Sequence, residues 1–276
     1  MPVQLGTVAP VGFHDFPPEP WLACMRRLGC TVVQVYRNQQ ALVPRQEMLD
    51  AISVGRMPCD SLHGVFGEQF DPSAPQEEAR RFAVQTYRAE GELAKELGGP
   101  LVVVHCATIR REGISAEERA VRLSQLKKTV ADLGAYGSQA GVRYAFENLP
   151  GYHAIGSDVA ELAHVLQEVG GPHVGLCFDT GHANMVCDPA AAIRQAGEQI
   201  IYVHLNDNGG HEDEHLMPTY GRLDLAALAR SLHQVGYHGT LMLEVFYTVD
   251  RLTQFINAGG AERLKRIVDI ANGLPG

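Results

Sequence analysis

Eight short runs of apolar and β-branched residues, separated by stretches of helical period, constrain this chain more than any other feature. They read "VQLGTVAP" (3–10), "TVVQVYR" (31–37), "CDSLHGVF" (59–66), "PLVVVHCA" (100–107), "VRYAFENL" (142–149), "VGLCFDT" (174–180), "IIYVHLND" (200–207) and "GTLMLEVF" (239–246). Each has the length and composition of a buried strand, and each is followed by enough chain for a helix. Eight such units predict one α/β domain, residues 1–276, folded as a closed (β/α)8 barrel. An open doubly wound sheet would usually carry a glycine-rich phosphate turn after its first strand, and "APVGFHDF" (9–16) has no GxGxxG.

Local signals agree with this layout. Leu123, Leu126, Val130 and Leu133 recur at spacings of three and four, on one helical face. The same stretch opens with "SAEE", where Ser115 is an N-cap and Glu118 is placed for a capping box. Val159, Leu162, Leu166 and Val169 repeat the pattern one unit later. Gly29, Gly99, Gly141 and Gly170 each precede a strand closely, as helix-terminating residues do. The formal charge of -9 weighs against a general nucleic-acid binder, whose phosphate contacts need lysine and arginine. The six cysteines form no CxxC pair, the start "MPVQLGTVAP" has no secretory pattern, and the apolar runs are too short to span a bilayer. A reduced, cytoplasmic setting is expected, with no membrane partner.

In a barrel of this kind the active site stands at the C-terminal ends of the strands. The third to eighth runs place His63, His105, Glu147, Asp179, His204 and Glu244 there, with His182 three residues after Asp179. The segment "HLNDNGGHEDEHLMPTYG" (204–221) then adds Asp213 and His215 in a loop rich in turn residues. Alternation in "RYAFENL" puts Ala145 and Glu147 on one face, and Glu244 shares its face with Met242. A single strand-end histidine is more often a hydrogen-bonded structural group, and a lone glutamate half of an ion pair. With 12 histidines and 32 acidic residues in 276, however, six consecutive strand ends so occupied are a poor match to chance. Buried carboxylates are costly unless paired or metal-bound, so the pattern points to a metal centre. Imidazole and carboxylate together suit zinc, manganese, iron or cobalt, and a carboxylate-rich subset suits magnesium. His14, His153 and His211 have weaker cases, and His164, His173, His233 and His238 fall on helices or their connections.

The motifs "FENLP", "CFDTGHAN", "VHLNDN…DEHLMPTYG" and "LMLEVF" resemble those of the xylose isomerase-like TIM barrels, in the same order and on the same strands. That family includes sugar isomerases, epimerases and apurinic/apyrimidinic endonucleases. In the epimerase branch the resemblance implies one divalent metal held by Glu147, Asp179, His204 and Glu244. In the endonuclease branch it implies three zinc ions on His63, His105, Glu147, Asp179, His182, His204, Asp213, His215 and Glu244, all of which are present. The metal complement expected is thus one to three divalent ions, zinc, manganese, cobalt or magnesium. The chain departs from both branches where a Gly-x-Gly usually closes the strand-seven loop, since "PTYGRLD" keeps only Gly221.

The first functional reading is isomerisation or epimerisation of a small carbohydrate, free or phosphorylated, through a metal-stabilised cis-enediolate. Glu147 and Glu244 would act as the two acid/bases and His182 would polarise a substrate oxygen. A keto-sugar lyase or dehydratase would share this chemistry. The second reading is a phosphodiesterase of the apurinic-site endonuclease type, for which the chain shows no long basic recognition loop. Arg37, Arg110, Arg111 and Arg222 are candidate phosphate contacts or ordinary solvated arginines, and Trp21, Phe13 and Phe66 are candidate apolar walls or core.

Overall fold

The computed structural model describes residues 2–275. Its strands are β1 Gln4–Val11, β2 Val32–Arg37, β3 Cys59–His63, β4 Leu101–His105, β5 Arg143–Glu147, β6 Val174–Asp179, β7 Ile200–Leu205 and β8 Thr240–Leu243. All pair in parallel with their sequence neighbours, and β1 closes on β8. The helices are α1 Pro18–Arg27, α2 Arg45–Gly55, α3 Glu77–Leu97, α4 Ala116–Ala140, α5 Val159–Val169, α6 Thr180–Asn184, α7 Pro189–Ala196, α8 Leu225–Gln234, α9 Val249–Asn257 and α10 Gly260–Ala271. The architecture is a TIM barrel, as the eight alternating runs predict.

Every expected strand overlaps one observed strand, but five stop two or three residues early, β3 at His63 and β8 at Leu243 among them. Past these points the chain leaves the ladder while staying buried. Ala107, Leu149 and Val245 are fully covered, so composition continues where strand geometry does not.

Inside the barrel, Val32, Leu101, Val103, Ala145, Cys177, Tyr202 and Met242 form a small cluster separate from the core between strands and helices. Five of them stand two residues before a ligand candidate: Val103 before His105, Ala145 before Glu147, Cys177 before Asp179, Tyr202 before His204 and Met242 before Glu244. The two-residue period of a strand therefore sends those five candidates into the same interior, above an apolar floor.

Helix ends refine the glycine and capping expectations. Ser115 Oγ accepts from Glu118 N at 3.1 Å, but the Glu118 carboxylate turns to Arg122 (2.9 Å), so only half of the capping box forms. After α3 the left-handed cap is Gly98 rather than Gly99. Gly99 is needed because a Cβ there would lie 2.3 Å from the carbonyl carbon of Asp60.

Two candidate substrate residues belong elsewhere. Trp21 is fully buried in α1 and its indole N–H donates to Tyr247 O at 2.8 Å, which makes it core rather than a wall of the site. Arg37 pairs with the buried Glu90 of α3, so its charge is neutralised within the fold. All six cysteines are free, and among the described residues no helix is long and apolar enough to cross a membrane.

Candidate metal centre

The nine ligand candidates converge at the C-terminal mouth of the barrel. Their donor atoms fall into three groups: Glu147, Asp179, His204 and Glu244; His63, His105 and Glu147; and His182, Asp213 and His215. The first group is the deepest, with relative exposures of 1, 0, 0 and 3%. His204 Nδ1 lies 2.9 Å from Glu244 Oε2, 3.0 Å from Glu147 Oε1 and 4.0 Å from Asp179 Oδ2. His105 Nε2 is 3.3 Å from Glu147 Oε2 and His63 Nε2 is 3.7 Å from it. Asp213 bridges the third group, 3.3 Å from His182 Nε2 and 3.2 Å from His215 Nε2.

Hydrogen bonds on the outer nitrogens decide which nitrogen faces inward. His63 Nδ1 meets Gly64 O at 3.0 Å, His182 Nδ1 meets Asn148 O at 2.8 Å and His215 Nδ1 meets Glu244 O at 2.8 Å. A carbonyl only accepts, so each Nδ1 donates and each Nε2 is free to ligate. His204 is reversed, with Nε2 3.1 Å from Gln34 Oε1 and Nδ1 among the carboxylates.

These atoms fit a divalent cation. Glu147 Oε2, Glu244 Oε2 and Asp213 Oδ1 are buried and accept no well-aligned hydrogen bond, although an imidazole nitrogen lies within 3.3 Å of each, and at least one belongs to a member of each group. Buried carboxylate oxygens without well-aligned donors are rare unless a cation meets them. In the metal-free protein, protons take that place. Burial disfavours the charged form of His204, yet Cys177, Glu244 and Glu147 raise it well above the ordinary histidine value. Burial likewise opposes ionisation of Glu147, but His204 and His105 hold it well below the carboxylate range. Glu244 is held down to about 2, chiefly by His204 against its own burial. Asp179 goes the other way, pushed up to about 6 by burial and by Glu147 and Glu244, against the opposing pull of His182.

Asp207 shapes the loop that delivers Asp213 and His215. Fully buried, it accepts from the backbone amides of Asn208, Thr219, Gly221 and Leu223, and its own backbone pairs with Leu216. The turn residues permit the fold-back, and this carboxylate holds it. Where the resemblance leads to an expected Gly-x-Gly, Thr219 takes a left-handed φ of 83°, and Gly221 remains glycine because a Cβ would lie 2.2 Å from Asp207 Oδ1. A β-branched residue in that region is strained by roughly 1–2 kcal/mol. Thr219→Gly is therefore expected to raise unfolding free energy by about 0.5–1 kcal/mol, after the entropy that glycine loses on folding. Urea denaturation giving a loss instead would show the strain to be absent.

A cavity of about 270 Å³ opens over the centre, lined by Tyr36, Phe66, Glu147, Tyr152, His182 and Glu244 among others. Phe66 stacks on His105 at 4.5 Å, and Phe13 packs 6.1 Å from the cavity-lining Tyr36 without lining the cavity itself. His153 lines the cavity and burial pushes it down to about 4, whereas His14 and His211 are exposed and join none of the three groups. Arg110 lies over the Tyr152 ring, 4.6 Å from its centroid. Arg111 donates to Ser157 and lines a separate cavity between α5 and α7. Neither lines the cavity over the centre. Sequence reading missed Tyr36, which fills the strand-two place in the ring. It also missed Asn148 and Asn206, whose amides donate to Asp179 O and Asp179 Oδ2. Neither residue type stands out in a search for metal ligands. The one available signal for Tyr36 is its position as an inward residue two after Gln34.

The metal-free protein carries a pH signature. Burial alone would lower His182, but Asp179, Asp213 and Glu147 raise it to about 10; His215, opposed likewise by burial, is raised to about 9 by Asp213 and Glu244. A raised folded-state value means stability that is complete below about pH 6.5 and is lost as pH climbs through the folded values. With chelator present, unfolding free energy is expected to fall between pH 6.5 and 10, and His182→Ala to flatten the decline. A wild-type profile without this fall would contradict the ion pairs.

A family model described as "Xylose isomerase-like TIM barrel" matches residues 22–268. Among curated proteins, an uncharacterised protein of Methanocaldococcus jannaschii is 27% identical over 187 residues, covering 66% of this chain and 63% of that protein. The 3-dehydroshikimate dehydratase of Pseudomonas putida is 26% identical over 257 residues, covering 87% and 38%. A fructoselysine 3-epimerase of Escherichia coli O157:H7 is 21% identical, covering 66% and 63%. The chain thus spans less than two thirds of the length of these relatives. A solved D-tagatose 3-epimerase-like protein superposes with TM-score 0.76 at 21% identity over 98% of this chain and 99% of that one, which shows the shared fold.

Proposed function

We propose that this chain, which belongs to the xylose isomerase-like TIM barrel family, is a divalent-metal-dependent isomerase or epimerase of a small carbohydrate. The observation that carries the reading is the placement of Glu147 and Glu244. They stand at the ends of β5 and β8, flank His204 Nδ1 at 3.0 and 2.9 Å, and each has one buried oxygen that accepts no well-aligned hydrogen bond. Two carboxylates facing one small cavity are what proton removal and return at a carbon beside a carbonyl require. The epimerase among the relatives supports the same chemistry.

Glu147, Asp179, His204 and Glu244 would hold the metal. Bound there, a divalent cation supplies Lewis acidity, offsetting negative charge on the substrate oxygens when the neighbouring carbon loses its proton. Glu147 and Glu244 both begin ionised, so either can accept that proton. The one that returns a proton must first take it from substrate or solvent. His182, its Nδ1 held by Asn148 O, presents Nε2 to Asp213 and to the cavity, where it would meet a substrate hydroxyl or a cation held by the third group. Phe66 and Tyr36 wall the cavity, and its small volume favours a substrate of monosaccharide size.

The test is a panel of free and phosphorylated ketoses, aldoses and keto-polyols with the metal-loaded protein, read by chromatography. Interconversion of one pair with loss of solvent-exchangeable α-hydrogen supports the reading; inertness across the panel with metal bound refutes it. Dehydration of a keto-acid, read by its ultraviolet absorbance, would instead favour the lyase variant that the dehydratase relative represents. The gathering of all nine candidates into three groups favours a second reading, a multi-zinc phosphodiesterase. Nicking of abasic-site DNA by the zinc-loaded protein would select it. Against it, Arg37 is consumed by Glu90, while Arg110 and Arg111 turn to Tyr152 and Ser157.

A further inference from the structure

The proton on the outer nitrogen of His204 is set from the opposite end of the barrel. His63, His182 and His215 are oriented by backbone carbonyls, which accept and cannot reverse. His204 instead meets the side-chain amide of Gln34, fully buried, which can present either its oxygen or its NH2. Something beyond Gln34 must choose.

A continuous line of hydrogen bonds supplies the choice. Gln34 Nε2 lies 3.2 Å from Ser61 Oγ, and Ser61 Oγ lies 2.9 Å from Asp60 Oδ1 and 2.5 Å from Tyr202 OH. Tyr202 OH is 2.9 Å from the same Asp60 oxygen, and Thr240 Oγ1 is 2.6 Å from Asp60 Oδ2. The 2.5 Å contact must hold one hydrogen, so either Tyr202 gives to Ser61 and Ser61 to Asp60, or Ser61 gives to Tyr202 and Tyr202 to Asp60, while Thr240 gives to the other Asp60 oxygen. Gln4 Nε2 approaches Thr240 Oγ1 at 3.3 Å, consistent with Thr240 giving its own hydrogen to Asp60. In either case the single Ser61 hydrogen is committed to Asp60 or Tyr202, so Ser61 can only accept from Gln34. Gln34 must then turn its NH2 to Ser61 and its oxygen to His204. His204 Nε2 must donate, and Nδ1 is left to face Glu147, Asp179 and Glu244.

We infer that Asp60, Ser61, Tyr202 and Gln34 form a polar column that fixes His204 with its hydrogen on Nε2 and Nδ1 as the metal-facing atom, Gln34 being the positioning residue in contact. The column explains why a barrel floored by apolar side chains keeps a buried glutamine, serine and tyrosine hydroxyl in line. It also gives Asp60 a role in the centre although it stands three residues before His63, about 10 Å of strand away. The inference rests on the metal-centre reading and not on the sugar chemistry.

The experiment measures zinc affinity by chelator competition for wild type, Gln34→Leu, Gln34→Glu and Asp60→Asn, with circular dichroism to verify folding. The zinc-loaded wild type, labelled with ¹⁵N-histidine, is read by imidazole NMR, with His204→Gln for assignment. Gln34→Leu removes the acceptor and is expected to weaken zinc about 10- to 100-fold. Gln34→Glu keeps an acceptor for His204, with Ser61 turning its hydrogen to the new carboxylate while Tyr202 and Thr240 still donate to Asp60, so zinc affinity is expected to stay within about threefold of wild type. Asp60→Asn lets the hydroxyls reverse and is expected to weaken zinc by about tenfold without touching the centre. The wild-type spectrum should carry the His204 hydrogen on Nε2. A hydrogen on Nδ1, or wild-type affinity in both Gln34→Leu and Asp60→Asn, overturns the column. Should Gln34→Leu fail to fold, Asp60→Asn and Gln34→Glu with the spectrum still decide it. Wild type that binds no zinc would instead overturn the metal centre itself.

Discussion

Glu147→Gln and Glu244→Gln are each expected to lower kcat on the carbohydrate substrate by about 10²–10⁴-fold, the usual worth of a positioned acid or base. Glutamine keeps an oxygen able to ligate but cannot carry a proton, so metal per chain is expected to stay near the wild-type value and must be measured alongside. The two variants should not behave alike. The one that loses the proton-removing group should also lose exchange of the substrate α-hydrogen with deuterated solvent. The other should retain exchange while failing to turn over. Both glutamates are held ionised, Glu244 at about 2 and Glu147 well below the carboxylate range, each against its own burial and chiefly by His204, so neither is disabled by protonation at neutral pH. If either variant kept near-wild-type kcat with metal in place, the two-base reading would be lost.

Metal removal is expected to have the second large effect. In the metal-free protein, three buried carboxylates crowd around His204, and Asp179 is pushed up to about 6 because burial and the two glutamates oppose its ionisation. A divalent ion relieves that repulsion only in the folded chain. By mass action, free zinc at a hundred times its dissociation constant stabilises the fold by about 2.7 kcal/mol. For a chain of this size that corresponds to a rise in Tm of roughly 5 °C or more over the chelator-treated protein. Activity should vanish with the metal and return on reconstitution. Identical melting with chelator and with zinc, manganese or cobalt would mean that the group does not hold a cation.

Much of this was legible beforehand because it depends on period and order. Strand alternation alone turned Ala145–Glu147 and Met242–Glu244 inward, and the barrel closed as eight βα units require. The nine ligand candidates were found because histidine and carboxylate at strand ends are chemically conspicuous. Residues whose role lies only in what they touch were not conspicuous. Trp21 reads as an aromatic wall until the packing of α1 buries it, and Arg37 reads as a phosphate contact until α3 presents Glu90. Asp207 looks like one more acid in a ligand-rich loop, yet it is the residue that organises that loop.

The sequence by itself determined the architecture and the ring of ligand types, since both follow from patterns that repeat every two residues and every βα unit. The tertiary structure decided which nitrogen of each histidine faces inward, which charges are already paired, and which buried oxygens lack a well-aligned donor. Those properties depend on separations of about 3 Å between residues far apart in the chain, such as Gln34 and His204. No local period encodes such a separation, because it is set only when the barrel closes.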